Sequence, residues 1–421
     1  MKKIINHPLF AGSFIMIIGA NAANFLNYLY HLMMVKLLTP PIYGELAALL
    51  SLIGLLGIVP ASLSIVIIKF VSAAKNEDEI INIVSWFNSK VFIFSLTTFL
   101  LITISSPLIS SFLKIDNNLV IILVAMSFIF SLAALLYKSV LQGILKFQQM
   151  VLTLFTETGL KLLLGVTLVY LGFSILGAVF GLVIASLVGF LLSRWFIRQY
   201  LKQSDKTPTV KPMLFYSIPV LIQSVAATSL YSSDIILVKH FFSAHDAGIY
   251  AIISTLGKII FFGTGPIGAV MFPYVSQRQA MGESYKKVFL FSLILTLMIS
   301  LSVLAIYLFV PQLVISLLNK DYLEAAPLLV WYGLFIALFS LSTLYVTLNL
   351  STSRTNVVYL SLISAISQII LIWFFHQTLF AVILVSILVA TLLLVGLFIY
   401  SSYEKNTSRD KSDISHSSSL Q

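Results

Sequence analysis

Residues 36–72, which begin KLLTPPIYGELAALLSL, and residues 239–276, which begin KHFFSAHDAGIYAIISTL, read as two copies of one segment. At an offset of 204, Gly44, Ala47, Leu52, Val66, Val71 and Ser72 fall on Gly248, Ala251, Leu256, Val270, Val275 and Ser276. Just upstream the offset is 203, one loop being a residue longer, and Tyr28, Val35 and Lys36 fall on Tyr231, Val238 and Lys239. Leu and Val identities arise readily in apolar sequence, so Gly44/Gly248, Tyr28/Tyr231 and Lys36/Lys239 carry the weight. A duplicated half inside a membrane-type chain points to a transporter with its substrate site where the halves meet.

Composition fixes the class. Hydrophobic residues make up 59% of the 421 positions and charged residues 10%, with a mean hydropathy of +1.04. A soluble domain carries about 25% charged residues, so this chain cannot cover itself with a hydrated surface. Stretches 11–35, 44–69, 84–106, 118–141, 148–171, 174–197, 214–239, 247–275, 287–310, 325–347, 356–375 and 378–400 are each long enough for a helix across a ~30 Å hydrocarbon core. Runs such as Val120 to Ala134 are apolar on every face, which excludes the alternating strands of a β-barrel. The expected fold is an all-α polytopic membrane protein, with twelve helices in two pseudo-symmetric six-helix bundles around a central cavity.

The longest hydrophilic internal stretch, Arg194 to Lys211, divides the helices six and six. The expected organisation is a bundle over 1–197, a cytoplasmic linker over 198–212, a bundle over 213–400 and a disordered cytoplasmic tail over 401–421. Six is even, so both halves enter the membrane in the same direction and their symmetry axis runs along its normal. With the N-terminus inside, 18 of the 25 basic residues lie in inner segments, the bias that sets topology. Both termini are therefore expected on the cytoplasmic side of a multi-pass cytoplasmic-membrane protein. The net charge of +10 then reflects topogenic charge and attraction to anionic lipid, with no nucleic-acid partner.

Cysteine is absent, which rules out disulfides and thiolate metal sites. The first apolar segment, at about 25 residues, is too long for the 7–15-residue core of a cleavable signal. Pro60, Pro219 and Pro266 interrupt the second, seventh and eighth predicted helices, where proline removes a backbone bond and kinks the chain. No P-loop, GxSxG, HExxH or paired-carboxylate motif is present, and no outer loop exceeds about 15 residues. No enzyme, catalytic residue, cofactor or metal is expected.

Five charges lie inside predicted helices: Lys90, Lys161, Lys258, Glu157 and Asp234. Each costs roughly 2.5–3.5 kcal/mol near a helix centre if it faces lipid, so all five must face the protein interior or a wet cavity. Lys258 is ten residues past Gly248, hence about 15 Å below the outer edge and near mid-membrane. Lys161 is equally central; Lys90, about 9 Å from the inner boundary, is placed to snorkel. A desolvated lysine is a strong point charge for phosphate, so Lys258, Lys161 and Lys90 are the candidate substrate contacts. Glu157 precedes Lys161 by four residues, the favourable order for an intrahelical pair; it reads either as that pair or as a protonatable switch. In the seventh helix Gln223, Ala227, Tyr231 and Asp234 form a stripe, as do Ala20, Asn24, Asn27 and His31 in the first. His31 falls on Asp234 in the repeat. The pair reads either as interhelical hydrogen bonding or as proton coupling. Asn24 is a candidate cavity-lining residue.

The turn Leu37-Leu38-Thr39-Pro40-Pro41-Ile42-Tyr43-Gly44 resembles the first periplasmic turn of Wzx-type polysaccharide flippases, of the multidrug/oligosaccharidyl-lipid/polysaccharide exporter superfamily. Ala247-Gly248-Ile249-Tyr250 and Gln142-Gly143-Ile144-Leu145-Lys146-Phe147 are similar to the matching segments of that family. The resemblance spans the whole chain in length, helix count and duplication. It implies alternating access for an O-antigen-type, undecaprenyl-pyrophosphate-linked glycan. It also implies membrane lipid, a polysaccharide polymerase and a chain-length regulator as partners. Alternatives are an ion-coupled multidrug antiporter of the same superfamily, which would favour acidic lumen residues, and a membrane polymerase or non-transporting assembly subunit.

Overall fold

The computed structural model describes residues 8–204, 211–352 and 354–418. Among these residues every regular element is helical, and nine helices are long and apolar enough to cross a membrane. One of the nine, Phe147–Tyr200, holds two crossings joined through a π turn at Val169–Phe173. The helix Pro8–Leu37 and the broken pair Pro40–Leu56 and Ile58–Ala73 supply two more. The twelve crossings expected from the sequence are therefore accounted for.

The chain forms two compact units: Met1–Leu221 with Lys239–Ala251, and Ile222–Val238 with Ile252–Gln421. The first contains α1 (Pro8–Leu37), α2 (Pro40–Leu56), α3 (Ile58–Ala73), α4 (Glu77–Ile104), α5 (Ser106–Leu113), α6 (Asn118–Gly143), α7 (Phe147–Leu168) and α8 (Ser174–Ile197). Thr39 stands at the N-cap position of α2 without a side-chain capping bond, and Pro40 and Pro41 fill the first turn, where the missing N–H costs nothing. Between α2 and α3 the helix is interrupted at Gly57. Pro60 lies three residues on and cannot donate to the preceding turn, and the expected kink takes the form of a one-residue interruption at Gly57, which itself keeps right-handed helical angles. Asn76 caps α4 by accepting from the Glu79 amide at 2.9 Å, and Glu77, Asp78 and Glu79 fill the first turn, complementing the helix dipole.

Lipid tails are as apolar as leucine, so helices in a bilayer associate through close packing and hydrogen bonds. The α7/α8 pair shows this. A Cβ on Gly181 would sit 2.6 Å from the Gly165 backbone nitrogen, so only glycine lets these two backbones approach. Conversely, α4 is only 11% buried over its most apolar window and presents Phe92, Ile93 and Leu101 outward. That surface suits hydrocarbon and no aqueous solvent.

The second unit contains most of α9 (Lys211–Phe241) and α10 (Ala244–Ala280), with α11 (Lys286–Phe309), α12 (Pro311–Ser316), α13 (Ala326–Ser351), α14 (Val357–Phe374) and α15 (Leu379–Ser418). Here α13 packs on α11 and α15, and α14 packs on α15. The third crossing is again the lipid-facing one: α11 is 17% buried and exposes Phe291, Met298 and Leu301. Pro266 produces no break, since α10 runs through it.

The division between units falls at Leu221/Ile222. The start of the expected linker is packed on the first unit: Tyr200 is buried in a cluster with Val84 and Phe87, and Ser204 bonds to Ser85 and Asn82. Residues 205–210 of that linker lie outside the described residues. The hairpin 239–251, although part of the second repeat, belongs to the first unit. A Cβ on Gly44 would come within 2.8 Å of the Gly248 nitrogen, and Lys239 pairs with Glu45 at 3.7 Å. Finally, α15 continues to Ser418 where a disordered tail is expected from 401; extending a helix already nucleated in the membrane costs only the propensity of each added residue.

Candidate substrate site

Two of the intramembrane lysines, Lys161 and Lys258, sit in aromatic nests, one in each unit. In the first unit Tyr30 of α1 is fully buried against α7 and α8. Its ring lies on Gly165, where a Cβ would come within 2.7 Å of the ring edge, and its hydroxyl donates to the Ala178 carbonyl at 3.3 Å. Lys161, one turn before Gly165 on α7, extends its ammonium over this ring at 4.2 Å from the centroid. The same ammonium donates to Asn27 Oδ1 at 2.8 Å. A cation over an aromatic face is attracted by the ring quadrupole, the more so when desolvated.

The expected Glu157–Lys161 pair does not form. Glu157 accepts from Lys138 of α6 at 2.7 Å, so its charge is balanced from a neighbouring helix. Lys161 is left with a neutral partner. Helical spacing makes a pair available, but a third residue outside the helix decides it.

In the second unit Lys258 of α10 lies over the Tyr231 ring of α9 at 5.2 Å. Tyr231 is packed against Phe261 and Phe339, with ring centroids 5.5 and 6.0 Å away. Lys258 makes no ion pair or hydrogen bond among the described residues. Asp234, the carboxylate on the same stripe of α9, is fully buried and accepts from the Tyr332 hydroxyl at 3.0 Å. That hydroxyl also lies 2.9 Å from Ser254. A Cβ on Gly257 would overlap the Tyr332 ring, so the residue beside Lys258 is the one that lets Tyr332 reach Asp234.

The remaining candidates are dispersed. Lys90 is exposed on α4 and lines a cavity of about 400 Å³ whose other walls include Trp86, Phe94 and Leu132. Asn24 is exposed on α1, one turn from Asn27. His31 is half-buried, edge-on to Tyr30 with centroids 5.7 Å apart. The structure thus joins Lys161 to Asn27 and Tyr30, and Lys258 to Tyr231, while Lys90 stands apart from both. Tyr30, Tyr332 and Lys138 are participants the sequence does not single out. Spacing hints at them only weakly, because each acts from another helix. The outer Lys36/Lys239 match is likewise unequal: Lys36 is exposed and Lys239 is 1% exposed. No cluster of metal-ligating side chains occurs among the described residues.

Among solved structures, an inward-facing multidrug resistance MATE family transporter of the MOP superfamily is 15% identical, with a TM-score of 0.72 over 91% of this chain and 96% of its own. The lipid II flippase MurJ in its inward closed conformation is 14% identical, with a TM-score of 0.75 over 92% of this chain and 87% of its own. A MOP superfamily transporter from Pyrococcus furiosus, described as having a binding pocket of reverse polarity, is 17% identical at a TM-score of 0.58 over 94% of this chain and 97% of its own. At these identities the likeness is one of fold, and the fold is that of the MOP superfamily transporters. No curated protein matches the sequence. The profile of the family described as "Polysaccharide biosynthesis protein" matches residues 33–327, and the chain belongs to that family.

Proposed function

We propose that the protein is a flippase that carries a polyprenyl-(pyro)phosphate-linked oligosaccharide from the inner to the outer leaflet of the cytoplasmic membrane by alternating access, for cell-surface polysaccharide biosynthesis. The observation that carries this reading is that each unit holds a lysine over a tyrosine ring without an ion pair. A substrate phosphate supplies the direct counter-charge that Glu157 and Asp234, which act on these ammoniums only through space, do not. Lysine acts here as a point charge in a low-dielectric setting, and the ring keeps its ammonium in place when the site is empty. Membership of a polysaccharide biosynthesis family supports the glycan class, and the flippase fold among the structural neighbours supports the transport class. The polyprenyl chain stays in the bilayer while the head group is carried. Both termini are assigned to the cytoplasm from the distribution of basic residues.

The test is translocation by the full chain in liposomes, read as exposure of a labelled undecaprenyl-pyrophosphate glycan to a membrane-impermeant reagent. Replacing Lys161 and Lys258 together by Gln is expected to abolish translocation. Wild-type rates in that double variant, at equal reconstitution, refute the cationic site. Absence of translocation by the wild-type chain refutes the flippase reading.

A further inference from the structure

The second unit contains a cavity of about 340 Å³ between α10, α11 and α13, within the size range of small-molecule sites. It begins at Phe261, the ring that packs on Tyr231 beneath Lys258. Thr264 lies six residues beyond Lys258 on α10, about 9 Å along the axis. Phe261 therefore borders both the cavity and the cationic nest. No charged side chain lines it.

Its polar lining is hydroxyl, Thr264, Thr296, Ser340, Thr343 and Thr347, set among apolar walls that include Ala269 and Leu344. The four threonines donate their hydrogens to carbonyls one turn back, at 2.8, 2.9, 2.9 and 2.8 Å. Their oxygen lone pairs remain as acceptors. Ser340 differs. It is 4% exposed and its hydroxyl has no hydrogen-bond partner among the described residues. A buried hydroxyl left this way is destabilising until something fills its bonds. On the α10 side Gly265 leaves open space where a side chain would stand, and Phe261 and Phe272 provide apolar faces.

The first unit holds a cavity between α3, α4 and α6 whose lining includes Pro60, Lys90, Leu132 and Leu135, with Ser64 its one hydroxyl. The row of five hydroxyls in the second unit has no counterpart there.

We infer that the Thr264–Ser340–Thr343 cavity is a subsite for an uncharged sugar ring of the transported head group, next to the phosphate held by Lys258. A pyranose offers O–H donors to the threonine oxygens, a partner to Ser340 and C–H faces to the two phenylalanines. This rests on the flippase reading above. The full chain in nanodiscs is titrated with undecaprenyl pyrophosphate bearing one N-acetylhexosamine, and with bare undecaprenyl pyrophosphate. The wild type is expected to bind the sugar-bearing lipid about tenfold more tightly. The variant Thr264→Val/Ser340→Ala/Thr343→Val is expected to lose that preference while binding bare lipid within about twofold of wild type. A preference that survives in the variant, or is absent from the wild type, overturns the subsite. A wild type that binds neither lipid overturns the flippase reading itself. If the triple variant loses both lipids, Thr343→Val and Ser340→Ala decide singly: a lowered preference with bare-lipid binding intact supports the subsite, and an unchanged preference overturns it.

Discussion

The two lysine nests look alike and are held differently. Lys161 has its ring at 4.2 Å and a hydrogen bond to Asn27; Lys258 has its ring at 5.2 Å and no hydrogen bond among the described residues. Asn27 takes one of the three N–H donors of the first ammonium and ties it in place, while the second has no hydrogen bond among the described residues to hold it. A duplicated scaffold has thus produced one restrained cation and one available cation, from non-equivalent helices. In substrate binding Lys258 should dominate, with Lys161 acting as a tethered second contact.

The largest effect should come from Lys258→Gln, which removes the available charge. Loss of one charge against a desolvated phosphate is worth about 2 kcal/mol or more, roughly thirtyfold in affinity for undecaprenyl pyrophosphate, whereas Lys161→Gln should cost only a few-fold. Equal losses in a binding titration would erase the distinction. Next in size is Gly257→Leu, whose side chain overlaps Tyr332 and disrupts its bond to Asp234; overpacking of this kind costs about 1–3 kcal/mol and should lower the melting temperature in detergent. A melting temperature equal to wild type would show that Tyr332 is not held as described. A smaller effect is expected from Asn27→Ala, which frees Lys161 from a bond worth about 1 kcal/mol and should raise bare pyrophosphate-lipid affinity a few-fold; a decrease would mean that Asn27 itself contacts the ligand. Tyr30→Phe keeps the ring and removes only a long hydrogen bond, so translocation should stay within about twofold, while Tyr30→Leu, losing about 1 kcal/mol of cation–π attraction, should not. Identical behaviour of those two variants would remove the ring from the account.

The helices and their number are legible in the sequence because lipid tolerates few alternatives to a long apolar helix. Pro60 is legible as an irregularity in the second crossing because it removes a backbone hydrogen bond, while Pro266 shows that a proline need not interrupt α10. Contacts between helices are much less legible. Glu157 and Lys161 satisfy every rule of helical spacing, yet Lys138 takes the carboxylate from α6. Asn27 stands out as part of a polar stripe, but its partner on α7 lies 134 positions away. The hydroxyl cavity is invisible for a similar reason. Thr264, Thr296 and Ser340 come from three helices, and each alone resembles an ordinary back-bonded hydroxyl.

The hairpin 239–251 gives the fold a schedule. The first unit includes these residues, so it lacks a part until synthesis has passed Ala251, well into the second repeat. Until then Glu45 waits without Lys239, and the turn at Pro40 and Gly44 waits without Gly248. The repeats therefore cannot mature one after the other like beads on a string; the earlier copy is finished by a piece of the later one. A chain cut between the repeats should regain function only when both pieces are made together.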